Sequence, residues 1–293
     1  MNPEVIENNV PDSPALSLLD EMVVEPATLE DWDKLHHLHY KAESMPPRHS
    51  MYRCMLRDEL IGVIVFSTPQ MLLKERHVMF PRLKPTGTET KTSNQVRAKF
   101  LNENFLRASR IVTSPIFRGA GVSYRMVNLA CRMTGRKYIE ITSAMMRFNP
   151  FAKKSGFVYA PPSRSFAYEA GIEFLSQRFD CNIYDWVAVY EEWQSKPGPI
   201  KKMLRQDFEE FYWKFTTKDK TGVNLGKKID SLADKYTDKQ LLKNCNQLIH
   251  TQLLYGVYTN PDYGRELPKQ LKLREFDKQG LNDPLSMHDL EAD

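Results

Sequence analysis

Apolar and polar positions follow two rhythms along this chain. Between Met22 and Tyr159, short apolar runs of strand length alternate with amphipathic stretches. Met22-Val23-Val24-Glu25-Pro26 predicts a short strand. Thr28, with Asp31 three residues on, predicts a capped helix reaching about Lys41. Pro46-Pro47 ends it, because proline cannot continue a helix. Met51 to Arg57 and Leu60 to Ser67 read as strands around a tight Asp58-Glu59 turn. The second, LIGVIVFS, is apolar on both faces and is expected to be central in a sheet. Residues 70–100 are polar and rich in Lys, Thr and Pro, which predicts a long irregular insertion. Beyond them come a strand over Phe105 to Thr113, a helix over Val122 to about Thr134 and a strand over Tyr138 to Met145. A short helix over Asn149 to Ser155 and a last strand over Phe157 to Tyr159 follow.

The order β, α, β, β, β, α, β, α, β predicts an α/β (α+β) protein with a mixed central sheet flanked by helices. From about residue 172 the rhythm becomes helical. GIEFLSQRF, IYDWVAVYEEWQ, IKKMLRQDFEEFYWKFT, IDSLADKYT and KQLLKNCNQLIHTQLLYGVY all read as helices. The expected organisation is a loose tail over 1–20, a sheet domain over 21–170, a helical extension over 171–275 and a polar, acidic tail over 276–293.

Composition narrows this only a little. The 293 residues, 41% of them hydrophobic, suffice for one large domain or a domain with an appendage. The formal net charge of +4 is mildly basic, as in many ordinary enzymes. Cys54, Cys131, Cys181 and Cys245 form no CxxC pair, so they supply no zinc ribbon or redox motif and are expected as reduced thiols. The first residues are acidic and lack the apolar run of a leader, and nothing approaches the ~18 apolar residues of a membrane span. The expectation is a soluble cytoplasmic protein with no membrane partner.

The stretch SRIVTSPIFRGAGVSYRMV, Ser109 to Val127, changes the picture most. A β-branched run breaks at Ser114-Pro115, and two glycines one residue apart precede a helical pattern. Glycine tolerates positive φ and lets a backbone approach a ligand closely. A strand, a glycine turn and a helix start together present unpaired amides at the positive end of a helix, suited to phosphate or diphosphate. Arg118 adds a charged donor. The alternative is an ordinary turn whose glycines relieve strain. Neither GxxxxGK[ST] nor GxGxxG is present.

The motif R-G-x-G-V-S between a strand and a helix, then a strand, then N-P-F-A-K-K-S-G-F, resembles the GNAT superfamily of N-acetyltransferases over about residues 22–165. That resemblance implies a GNAT-like sheet and an acetyl-CoA or other acyl-CoA donor. It implies that Arg118, Gly119, Ala120, Gly121, Val122 and Ser123 hold the coenzyme diphosphate. It also implies that the fourth and fifth strands part, that backbone near Ile111, Val112 and Thr113 holds the thioester, and that Asn149 contacts the pantetheine arm. His39-Tyr40, LIGVIVFSTP and MMRFNPFAKKSGF are similar to a subset. It comprises acetyltransferase-like domains fused to ABC-type ATPases, and phage proteins related to the Mom DNA-modification enzyme. This implies transfer to an amino group of a nucleobase in DNA, in a host cytoplasm. A conventional acetyltransferase for a small amine or protein lysine, and a non-catalytic binding module, are the alternatives. The chain departs from the family at one place: many members have a tyrosine four residues before the glycine of GF, and Ala152 stands there, beside Phe151.

Four side chains are candidates for the reacting centre. His39 titrates near neutral pH and can take an amine proton, with Tyr40 beside it; the plainer reading is a helix-end histidine in a His-rich segment. Glu140 shares a strand face with Thr142 and is either a base or an ion-pair partner of Arg110 on the neighbouring strand. Ser143 is either a donor to substrate or packing filler. Asn149 doubles as a plausible cap of the short helix. His36, His39, His49 and Cys54 match no standard metal spacing, so no metal is expected. A DNA partner is expected along the basic C-terminal region. There Phe208, Phe211, Tyr212, Trp213 and Phe215 either stack on bases or form a core. The 70–100 segment, with Lys74, Arg76, His77, Arg82, Lys84, Lys91 and Arg97, is expected to lie over DNA as well.

Overall fold

β-Branched and aromatic runs from both ends of the chain pair into one sheet. The computed structural model describes residues 17–39, 45–46, 49–85, 90–161, 166–216, 232, 235–250 and 253–286. The strands are β1 (Met22–Pro26), β2 (His49–Leu56), β3 (Glu59–Ser67), β4 (Phe105–Thr113), β5 (Tyr138–Ser143), β6 (Val158–Tyr159), β7 (Leu254–Thr259) and β8 (Leu271–Lys272). They lie in the order β6-β7-β5-β4-β3-β2-β1-β8. The β4–β5 pair is parallel and the other described pairs are antiparallel. The protein is therefore a mixed α/β layer structure, with helices on both faces of the sheet.

The chain divides into two compact units. The first, residues 1–161 with 254–293, holds the sheet and helices α1 (Leu29–Leu35), α2 (Lys74–Met79), α3 (Thr90–Asn104), α4 (Val122–Met133) and α5 (Phe151–Lys154). Period-two alternation sends Ile64, Phe66, Ile139 and Ile141 to one face, where they pack on Val122, Met126 and Leu129 of α4. The opposite face puts Val63, Val65 and Val112 against Trp32 and Leu35 of α1. Further along that face, Tyr255 and Val257 meet Leu73, Met79 and Phe80 around α2. The start of α1 is a capping box: the Thr28 amide donates to Asp31 at 2.9 Å and the Thr28 hydroxyl accepts from the Asp31 amide at 3.4 Å.

The second unit, residues 162–253, contains α6 (Phe166–Ser176), α7 (Trp186–Ser195), α8 (Gly198–Phe215) and α9 (Asp238–His250) around its own core. Trp193 and Phe208 are fully buried there with ring centroids 4.8 Å apart. Phe211 and Tyr212 are buried beside them, and Trp213 and Phe215 pack against the same cluster. These aromatics form a core; they are not a stacking platform. The unit carries fourteen Lys and Arg against thirteen Asp and Glu, so it is close to neutral, not basic.

Several sequence expectations change. The helical extension does not run to 275: after α9 the chain returns as β7, inserted between β5 and β6. The run LLYGVY follows a helical pattern without a break and is apolar enough to suit either period. Residues 70–100 are not irregular, since α2, a 3-10 turn (Pro81–Leu83) and α3 occupy the described part. They are organised by buried polar anchors, Arg76 and Arg97, which an apolar-period reading passes over. The acidic tail is held as far as Ser286: Leu285 is buried and its amide donates to Asp262 at 3.0 Å. Leu19, in the expected N-terminal tail, is buried too. Residues 1–16, 287–293 and most of IDSLADKYT lie outside the described residues. All four cysteines are free, and burial pushes the Cys54 thiol up to about 12. Among the described residues no helix is long and apolar enough to cross a membrane.

Glu140 sits in the middle of β5, fully buried, and is paired through both carboxylate oxygens. Arg76 Nε and Nη2 donate to it at 2.8 and 2.7 Å, and the Tyr255 hydroxyl donates at 3.1 Å. Removing one partner of such a pair leaves a buried charge uncompensated. Glu140→Gln is therefore expected to lower the stability of this unit by about 3–5 kcal/mol. The double variant Arg76→Met/Glu140→Leu is expected to regain most of that loss. Urea unfolding of the three proteins checks both statements, and a Glu140→Gln midpoint equal to wild type contradicts them.

Candidate functional site

Parallel pairing of β4 with β5 covers four residue pairs, Phe105 with Tyr138 through Ala108 with Ile141. Beyond them the strands part. β4 continues to Thr113 beside β3, and β5 continues to Ser143 beside β7. The parting begins at a bulge: Val65 pairs with Arg110 and Phe66 with Ala108, so Ser109 is the extra residue. The Ser109 and Ser67 hydroxyls are hydrogen-bonded across that bulge. From Ser109 to Thr113, β4 is flanked by β3 on one side only; no strand pairs with its other edge, and of this stretch the Ser109 and Thr113 carbonyls accept from Arg110 and Arg118.

A cleft of about 490 Å³ fills the gap, within the size range of small-molecule sites. Ile111, Val112 and Thr113 line it, and so do Arg118, Gly119, Gly121, Val122 and Ser123. Ala120 does not line it; its amide closes the turn onto the Phe117 carbonyl at 3.4 Å. The Arg118 amide closes onto Pro115 at 3.2 Å. Among the described residues, no main-chain acceptor takes the amides of Gly119, Gly121, Val122 or Ser123. Gly121 is the N-cap of α4 and supplies no side chain to satisfy them. Gly119 and Gly121 have φ of +87° and +78°, the left-handed region that glycine adopts without strain. The turn is thus a set of unsatisfied donors at the positive end of a twelve-residue helix, facing a cleft.

Charged groups gather at the same end. The Arg118 Nε donates to the Thr113 carbonyl at 3.4 Å, and Lys154 lines the cleft from α5. Arg125 lies behind the turn. It donates to the Gly121 carbonyl at 3.1 Å and grips Asp277 through two nitrogens at 2.8 and 2.9 Å. The Tyr124 ring packs between Arg125 and Phe276, and burial raises its hydroxyl above the usual phenol range, so it stays a donor at neutral pH.

The other candidates divide. His39 lines the cleft, its ring 6.0 Å from that of Trp32. Tyr40 lies outside the described residues. Ser143 lines the cleft while its hydroxyl accepts the Met145 amide at 3.1 Å. Asn149 lines the cleft and its Oδ1 accepts the Phe151 amide at 3.0 Å, although the N-cap position of α5 is Pro150 and not Asn149. Glu140 is excluded as a base, and its partner is Arg76 and not Arg110. Ala152 is fully buried in the α4-side core, while Phe151 and Lys154 are what α5 presents to the cleft. A phenol at 152 would overpack that core.

Arg110, Thr142, Tyr124 and Lys154 line the cleft without having been singled out for it. Thr142 was visible as the residue sharing a strand face with Glu140; the rest depend on where β4 parts from β5.

No protein-family model and no curated protein sequence matches the chain. A solved structure of an apo agmatine N-acetyltransferase variant aligns over 50% of this chain and 87% of its own, at 12% identity and a TM-score of 0.31. A likeness that small does not bear on the function of this chain.

A side chain at 119 or 121 is strained by the positive φ alone, by about 1–2 kcal/mol. At Gly119 a Cβ meets nothing within 4 Å, whereas at Gly121 it comes within 2.3 Å of Arg125 Nη1, which donates to the Gly121 carbonyl, and 2.9 Å of the Tyr124 hydroxyl, so both side chains must shift. Gly121→Ala is therefore expected to lose more stability than Gly119→Ala in thermal melts. Equal losses would show that Arg125 gives way freely.

Proposed function

We propose that this cleft binds an acyl-CoA and that the protein transfers the acyl group to an amine. The observation that carries the reading is the coincidence, in one cleft, of a parted β4–β5 edge and an uncapped glycine turn at the start of α4. The free amides of Gly119, Gly121, Val122 and Ser123, with Arg118 and Lys154, suit a diphosphate. The open β4 edge over Ile111–Thr113 suits the extended amide-bearing arm that follows it, with Asn149 at the opposite wall. A bound thioester supplies the activated carbonyl. The chain's own part is to hold the amine against it and to take the amine's proton, for which His39 is the imidazole in the cleft. Formation of the nitrogen–carbon bond at the expense of the carbon–sulfur bond would leave the coenzyme's sulfur in need of a proton. With Ala152 enclosed in the core, that proton comes from solvent or from a hydroxyl of the cleft wall.

The acceptor implied by the sequence resemblance is a nucleobase amino group in DNA. The features first read as a DNA grip do not support it. The aromatics of the second unit are core, and that unit is nearly neutral. Arg76 and Arg97 of the 70–100 segment are buried, with Arg97 bonded to the Leu83 carbonyl at 3.0 Å; Lys74, Arg82 and Lys84 remain exposed. The DNA proposal therefore rests on the resemblance and on those exposed cations.

Calorimetric titration with acetyl-CoA tests the first half of the reading. Binding is expected for the wild type and at least tenfold weaker binding for Gly121→Glu, which sets a carboxylate in the turn. Absence of any heat with coenzyme A or acetyl-CoA would remove the enzymatic account. Nucleoside mass spectrometry of DNA from cells expressing the wild type or Gly121→Glu tests the second half, and identical profiles would remove the nucleobase acceptor alone.

A further inference from the structure

The last residue pair of the β4–β5 ladder is Ala108 with Ile141. Thr142 is the next residue of β5, so it stands opposite Ser109, where the ladder stops and the cleft begins. Pairing with Tyr255 of β7 holds its backbone from the other side. Successive residues of a strand face opposite ways. Ile141 packs in the α4-side core, so Thr142 faces the other side of the sheet, as Glu140 does.

On that face the neighbouring polar groups are already engaged. Glu140 is paired with Arg76, and the Tyr255 hydroxyl donates to the same carboxylate. The Ser109 hydroxyl is bonded to Ser67, and the Ser143 hydroxyl accepts the Met145 amide. The Thr142 hydroxyl is different. It is shut off from solvent and has no hydrogen-bond partner among the described residues, although Thr142 lines the cleft. A buried hydroxyl without a partner is costly, and valine would suit the strand equally well without that cost. Because this hydroxyl makes no bond, none has to break when it turns between staggered rotamers toward a ligand in the cleft.

The position of Thr142 fixes which part of a ligand could supply the partner. The strands are still close together there, so only a narrow end of a ligand reaches it. The glycine turn lies at the other end of the unpaired β4 edge, with Arg118 bonded to the Thr113 carbonyl. By strand geometry Ser109 and Thr113 are about 13 Å apart. A molecule anchored by phosphates at that turn and extended along β4 brings its far end to Thr142. In an acyl-CoA the far end is the thioester, whose carbonyl oxygen is a hydrogen-bond acceptor.

We infer that Thr142 is a catalytic residue whose hydroxyl donates a hydrogen bond to the carbonyl oxygen of the bound thioester. This rests on the acyl-CoA reading above. Negative charge builds on that oxygen as an amine adds to the carbonyl, so a donor already in place there favours the addition. The hydroxyl keeps its proton throughout.

Calorimetric titration of the full chain with acetyl-CoA and with coenzyme A compares a ligand that carries the carbonyl with one that lacks it. Thr142→Val is expected to bind acetyl-CoA roughly tenfold more weakly, as for one lost hydrogen bond, and coenzyme A as the wild type does. Thr142→Ser is expected to keep wild-type affinity for both. Infrared spectra of bound acetyl-CoA, isotope-labelled at the carbonyl carbon, are expected to place the thioester stretch at lower frequency in wild type and Thr142→Ser than in Thr142→Val. Without ligand, Thr142→Val is expected to melt at or above the wild-type temperature, since it loses only an unpartnered hydroxyl. The inference is overturned if Thr142→Val weakens both ligands alike or neither, if the carbonyl stretch is the same in wild type and Thr142→Val, or if the ligand-free valine variant melts well below wild type. In each of those cases the acyl-CoA reading stands as long as the wild type binds both ligands; binding of neither removes that reading and this one with it.

Discussion

Everything about the site follows from the sheet being joined at its middle by four residue pairs. On one side of the join lie β6, β7 and β5; on the other lie β4, β3, β2, β1 and β8. A central strand that loses a neighbour exposes main-chain donors and acceptors that the interior does not tolerate unpaired. Here the loss occurs on one edge of β4, and the cleft opens along that edge. The bulge at Ser109 begins the separation, and the continued pairing of β5 with β7 keeps β5 from returning to β4. The site is a gap in the hydrogen-bonded ladder, bounded at one end by a helix that also begins with unsatisfied amides.

Such a gap requires firm anchors behind it. At the closed end of the parting, Arg76 reaches from α2 to Glu140, which forms the third of the four β4–β5 pairs with Arg107, and Tyr255 ties the same carboxylate to β7. At the open end, α4 is held from behind by the C-terminal segment. Arg132 donates to Asp262 at 2.6 Å, both side chains buried, and to the Asp283 carbonyl at 2.9 Å, while Arg125 takes Asp277. The residues after 260 therefore contribute to the site without lining it, by fixing the helix whose first turn faces the cleft.

How much of this was legible in the sequence depends on the range of the interactions. The β4 strand, the glycine turn, α4 and the capping box are local patterns within about a dozen residues, and the chain adopts them where the pattern places them. The partner of Glu140 was not legible: a buried carboxylate announces that it needs a cation, but not that the cation lies 64 residues earlier, in a stretch that reads as a loop. β7 was not legible because its apolar run joins α9 without a punctuating Gly or Pro, and only the vacant edge of β5 decides its period. The aromatics of α8 were read both ways from the same residues. Helical spacing alone does not say whether a stripe meets a core or a ligand, and packing against Trp193 and Leu242 decides it.

The position of Ala152 shows how the same constraint limits the chemistry. A motif aligned by its glycine puts residue 152 where a proton donor is expected. The short α5 instead turns that side chain into the α4-side core, where a methyl group fills the space. What α5 offers the cleft is Phe151 and Lys154, an apolar wall and a basic side chain, and neither takes the place of the expected phenol. Under the proposed acyl transfer, the work left to this cleft is aligning the reactants and taking the amine's proton, more than assisting the leaving group. On the proposed reading, those tasks would fall to the parted β4 edge and to His39, which both line the cleft.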